Sequence, residues 1–171
     1  FVHALGIAGS QTAGSMEYLA QGAWTKRLHP GWAAHSGVWA ALLARSGYSG
    51  PTTILEGRDG FLQAYSGNPD ASLVLKDLGD EYQVTRTSIK PHSCCRYIQG
   101  PIDCLLDLRR EYGINPADVA EVRIGVLSAG MKIISEPFEA KNNPRSIVDM
   151  QFSMPFGAAV ALTHGRASLE E

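Results

Sequence analysis

Lys26, Arg27, His29 and His35 fall close together in a chain that is otherwise almost neutral. A guanidinium grips a carboxylate through two parallel donors, an ammonium adds a compact charge, and an imidazole moves a proton near neutral pH. The cluster therefore suits a small organic acid. The same spacing also suits solvated loop charges and a packed histidine, so on residue types alone both readings stand.

A second concentration is Ser88–Tyr97, SIKPHSCCRY, with Lys90, His92, two thiols and Arg96 just ahead of an amphipathic run. Arg96 and the first amides of a helix starting there suit an anion. A polar turn leading into a helix is the plainer alternative. His92, Cys94 and Cys95 lack the C-x₂₋₄-C spacing of a metal site, and neither thiol carries a protease signature, so inert cysteines are expected. No phosphate-cradling glycine pattern is present, and no metal or cofactor is expected. Glu136, Glu139 and Asp149 read as surface charges.

The elements that must position these residues begin with a buried helix over 1–21, where Gly6, Gly9, Ala13 and Gly14 permit close approach. A loop is expected from Gly22 to Gly31, then an apolar helix from Trp32 to Ser46 ending at Gly47. After Ser49-Gly50-Pro51 the composition shifts to short elements. Strands are expected at Thr52–Leu55 and Tyr82–Ile89, with helical turns at Gly60–Ser66 and Ala71–Asp77. Ile98, Ile102, Leu105 and Leu106 share one face of a helix over Arg96–Tyr112, which leaves Asp103, Asp107, Arg110 and Glu111 to solvent. Val122, Ile124 and Val126 alternate with polar residues at period two, predicting a half-buried strand over Val119–Leu127. Ser146–His164 is helical again, divided by Pro155.

At 171 residues, 44% hydrophobic and 19% charged, the chain is long enough for one sizeable core or two small ones. A net charge of −2 with no long Lys/Arg run disfavours nucleic acid, and no apolar stretch suits a membrane span. Cys94, Cys95 and Cys104 make an odd set whose adjacent pair is poorly placed for a disulfide, so reduced thiols and a cytoplasmic setting are expected. FVHALGIAGS reads as a helix already under way, and the terminal ASLEE is set aside, so a fragment of a longer protein is expected.

Four segments in order, ALGIAGSQTAG, TKRLHPGWAAHSG, IKPHSCCRY and DMQFSMPFGAAVAL, resemble the MmgE/PrpD family from Leu5 to Gly165. The resemblance implies an α+β protein: part of an all-helical domain (1–48), a smaller α+β lid domain (49–145) and the start of a returning helical portion (146–171). Members dehydrate 2-methylcitrate, decarboxylate cis-aconitate or epimerise iminodisuccinate without metal or organic cofactor. The implied function is a lyase or isomerase acting on a small di- or tricarboxylic acid, 2-methylcitrate dehydratase-like in the first instance.

Carried over by motif, Lys26 matches a pocket lysine and His29 the histidine of the same motif, while Lys90 and His92 fall beside a basic pair seen in some members. The expected catalytic residues are His29, Lys90 and His92, and the expected substrate-binding residues Lys26, Arg27 and Arg96, placing the acid between the two domains. A homodimer through the helical domain is implied as well. The family also draws an aspartate and a histidine from residues ahead of the segment matched by Phe1, so the chain alone is expected to be inactive. A non-catalytic carboxylate-binding or structural domain is the competing expectation.

Overall fold

In the computed structural model, residues 1–168 and 170 are described; Leu169 and Glu171, within the ASLEE end, lie outside them. The helices are α1 (Val2–Gly9), α2 (Tyr18–Gln21), α3 (Thr25–Arg45), α4 (Phe61–Tyr65), α5 (Arg96–Tyr112), α6 (Ser128–Ile134), α7 (Phe138–Asn142), α8 (Ile147–Gln151) and α9 (Met154–His164). Two compact units result, one of residues 1–16 and 24–87, the other of 17–23 and 88–171.

The expected α+β class is overturned: no described residue lies in a strand, including those of the presumed lid segment 49–145. A strand exists only where a neighbour completes its hydrogen-bond ladder. At 52–55 local turns take those groups instead, with Gly57 N–H donating to Thr53 O (2.8 Å) and Phe61 N–H to Ile54 O (2.7 Å). At 82–89 a 3₁₀ turn forms over Gln83–Arg86. Residues 119–127 carry no regular secondary structure, and the alternation survives in part: Ile124 and Val126 pack on the second unit's core while Val122 is exposed. The period-two pattern signalled one-sided burial there, without pairing.

The expected single helix over 1–21 is two, α1 in the first unit and α2 in the second, separated by turns. The glycines of α1 do admit a close neighbour, but it is the 50–54 segment: a Cβ on Gly6 would land on Pro51 O, and one on Gly9 on the Ile54 side chain. The expected loop over 22–31 is also corrected, because α3 already begins at Thr25. Its first turn tightens through Arg27 N–H to Trp24 O (2.9 Å). Pro30 sits within the helix and supplies no N–H to the turn that starts at Lys26.

The second unit is built on α5. Ile98, Ile102 and Leu105 bury against Ile134 of α6 and Met154, Ala158, Ala161 and Leu162 of α9. Gly157 brings α9 onto Ile98, since a Cβ there would sit 2.9 Å from its Cγ2. The expected division of 146–164 occurs at Phe152-Ser153, where Ser153 caps α9 by accepting from Phe156 N–H (3.0 Å). A second small cluster, Tyr18, Val148 and Phe152, ties α2 to α8.

Candidate functional site

In the first unit a cleft of about 740 Å³ opens along one face of α3. Thr25, His29 and Ser36 follow one another at i, i+4 and i+11, so one stripe of the helix brings three polar groups to it, beside Gln11, Thr12, Ser15 and Tyr65 from other segments. Trp32 and Leu28 provide apolar wall on the same helix, and Phe61 with Tyr65 the facing wall. Tyr65 OH donates to Thr12 Oγ1 (3.3 Å), and its ring stacks on Phe61 with centroids 4.7 Å apart. Gly14, at φ 127°, crosses the His29 ring so closely that a Cβ there would sit 3.4 Å from Nδ1. An apolar cleft with a few polar groups is the usual form of a small-molecule site.

Of the residues expected from sequence, His29 lines this cleft and Lys26 and Arg27 do not. Lys26 is half-buried one turn before His29, and Arg27 is exposed with its guanidinium carbon 5.8 Å from the centre of the Trp24 ring. His35 is exposed and stacked on Trp32 at 5.2 Å.

Lys90, His92 and Arg96 belong to the second unit. The His92 ring is 11% exposed and held from both sides, with Nε2 2.8 Å from Asp103 Oδ1 and Nδ1 3.2 Å from Ala167 O. Asp103, expected to face only solvent, is thus the partner of a candidate catalytic histidine. Buried Gln99 stitches the preceding turn to α5: its amide oxygen accepts from His92 N–H (3.0 Å), and its nitrogen lies 3.0 Å from His92 O and 3.1 Å from Cys94 O. Burial pushes the Cys94 thiol up to about 11, with Cys95 adding to the shift and Lys90 opposing it, so Lys90 acts electrostatically on this turn. Lys90 and Arg96 are both exposed.

Among the described residues no three His, Cys, Asp or Glu side chains are grouped to hold a metal ion. Nor is any described helix long and apolar enough to cross a membrane.

Three features escaped the sequence reading. Ser36 sits inside an apolar run with nothing to mark it. Gln99 is the polar member of an otherwise apolar helix face, a signal that was present and unused. Lys132, Lys141 and Arg145 line a further cleft of about 1030 Å³ in the second unit together with Glu136, Glu139 and Asp149. Burial lowers the Lys141 ammonium from its ordinary range, and Asp149 opposes that shift. Asp149 is more than the surface charge expected of it, because it accepts from Ser146 Oγ (3.0 Å) beside Gly22.

The model of the MmgE/PrpD N-terminal domain matches residues 1–74, and that of the MmgE/PrpD C-terminal domain residues 92–171. A cis-aconitate decarboxylase of Aspergillus terreus is 33% identical over 129 residues, 70% of this chain and 26% of the relative. A cis-aconitate decarboxylase-like protein of Aspergillus oryzae is 30% identical over 183 aligned positions, 98% of this chain and 37% of the relative. The chain therefore spans between about a quarter and two fifths of the length of these relatives. With TKRLHPGWAAHSG inside the first matched segment and the His92–Tyr97 part of IKPHSCCRY opening the second, the chain belongs to the MmgE/PrpD family.

Proposed function

We propose that this chain is the part of a lyase-type enzyme that binds a small polycarboxylic acid through α3, with cis-aconitate as the first candidate. The observation that carries the reading is His29, from the motif most specific to the family, lining an apolar cleft beside the half-buried Lys26. The relatives' names favour decarboxylation over the dehydration expected from the resemblance.

Loss of CO2 leaves an electron pair that must be held next to a remaining carboxylate and then take a proton. Fixed cations and donors lower the first barrier, and an imidazole within hydrogen-bond reach serves the second. In this reading Lys26 and Arg27 hold carboxylate and His29 moves the proton. Lys90, His92 and Arg96 form a separate candidate group within the second unit, where Asp103 and Ala167 O fix the orientation of the His92 ring.

Titration of cis-aconitate into the chain, followed through tryptophan fluorescence, tests the binding step; all three tryptophans, Trp24, Trp32 and Trp39, lie in the first unit. Lys26→Ala is expected to weaken binding about tenfold, the size of a charge-assisted contact. In the chain extended at its N-terminus, His29→Gln is expected to abolish CO2 release while binding persists. Normal release by either variant would overturn the assignment of that residue. Water loss from 2-methylcitrate, with cis-aconitate untouched, would move the reading back to a dehydratase. Turnover by the 171-residue chain alone would remove the expectation that it is inactive by itself.

A further inference from the structure

Ser36 is only 5% exposed, and its Oγ has no hydrogen-bond partner. A serine within a helix ordinarily settles its hydroxyl on the carbonyl four residues earlier, which here belongs to Trp32. That bond is absent, and a buried hydroxyl left unpaired is unfavourable by more than its removal would be. The residue also lines the cleft that holds His29, seven positions away on the same stripe of α3. Its neighbours in that wall are apolar or glycine: Leu28, Trp32, Ala33 and Gly37. An unpaired donor in such a wall is poised for an acceptor that enters with a ligand.

We infer that Ser36 is the hydrogen-bonding anchor for the far carboxylate of a dicarboxylic or tricarboxylic acid whose near end lies at His29. The inference rests on the polycarboxylate reading above and deepens it, because the spacing selects for length. Seven residues of helix rise about 10.5 Å. Two carboxyl carbons separated by four C–C bonds of about 1.5 Å stand about 5 Å apart. The C–O bonds and hydrogen bonds of about 2.8 Å at each end bring the longest span to about 12 Å, which covers that rise. A monocarboxylate reaches one anchor only. Turning the hydroxyl toward the ligand takes one rotation about χ1, between wells that serine populates freely.

The test compares the wild-type chain with Ser36→Ala and Ser36→Thr, titrated with cis-aconitate and with acetate and read through tryptophan fluorescence; Trp32 lines the cleft. Urea midpoints of the unliganded proteins are measured alongside. The expected result is a loss of cis-aconitate affinity of about tenfold or more in Ser36→Ala and recovery to within about threefold in Ser36→Thr, which keeps the hydroxyl. The unliganded Ser36→Ala midpoint is expected to equal or exceed that of the wild type, since an unpaired group has been removed. Acetate is expected to bind weakly and equally to all three. Unchanged cis-aconitate affinity in Ser36→Ala overturns the role of Ser36 and leaves the polycarboxylate reading intact. A lowered midpoint shows that the protein itself holds the hydroxyl and overturns the inference, as does equal loss in both variants. No binding of cis-aconitate by the wild type sinks the polycarboxylate reading and this inference with it.

Discussion

The two long helices of the chain are built on opposite plans. α5 is strongly amphipathic and buries Ile98, Gln99, Ile102 and Leu105, with its charged residues on the other face. α3 is longer, yet it buries only Ser36 and Ala40 and leaves Trp32, Val38, Trp39 and Leu42 exposed. One helix is a scaffold whose side chains find partners inside its own unit. The other presents side chains outward, and the motif most specific to the family lies on it. On the proposed reading, stability and ligand binding are divided between an amphipathic helix and a more apolar one.

The largest expected effect tests the scaffold half of that contrast. Ile98→Ala removes a fully buried side chain that packs on Gly157, and it is expected to cost about 2–5 kcal/mol in urea unfolding followed by circular dichroism. Val38→Ala on α3, 63% exposed, is expected to stay within about 0.5 kcal/mol. Equal losses at the two positions would erase the distinction.

The contrast also explains how far the sequence could be read. α5 was legible to the residue because its apolar face repeats at helical spacing and α9, with Ile134 of α6, covers it. α3 was legible only from Trp32, because Pro30 and the glycines at 31 and 37 lower local helix propensity and the helix forms regardless. The three expected strands failed for a different reason. Alternation reports which side of a segment is buried, whereas pairing depends on another segment, and at 119–127 the first is partly present without the second. Within the site, His29 was legible as a motif residue. The orphaned Ser36 hydroxyl was not, since whether a serine is satisfied depends on the carbonyls and walls the fold brings to it.

A second prediction concerns the one polar residue that α5 buries. Gln99→Leu leaves His92 N–H and O and Cys94 O without their side-chain partner, at an expected cost of about 1–3 kcal/mol. The variant should also release the His92 ring, visible as a shift of its imidazole proton resonances. A stable variant with an unshifted ring would mean that Asp103 and Ala167 hold the turn without Gln99.

Ser153→Ala removes the cap of α9, the helix that covers α5, and with it the bond to Lys141 O (2.5 Å). The expected loss is about 0.5–2 kcal/mol, smaller than that of Ile98→Ala because only the helix end is released. Ser153→Asn, which keeps a capping oxygen, is expected to recover part of it.

The smallest effect separates the surface of α5 from the part-buried turn ahead of it by thiol chemistry. Cys104 is exposed on the helix, while Cys94 packs against the core and its thiol is pushed up to about 11 by burial. The thiolate is the reacting species, so at pH 8 iodoacetamide should label Cys104 well before Cys94, read by peptide mass spectrometry. The same shift sets a sign for stability. Because folding raises the Cys94 value above its ordinary 9.0, the folded state binds this proton more tightly than the unfolded one. Its contribution is fully present below about pH 9 and is lost as pH rises toward about 11. Cys94→Ser should flatten the alkaline fall in the urea midpoint across that window, whereas Cys104→Ser should leave it unchanged. If both variants follow the wild-type curve, the alkaline loss arises from other groups, and burial of the turn ahead of α5 does not protect the Cys94 thiol.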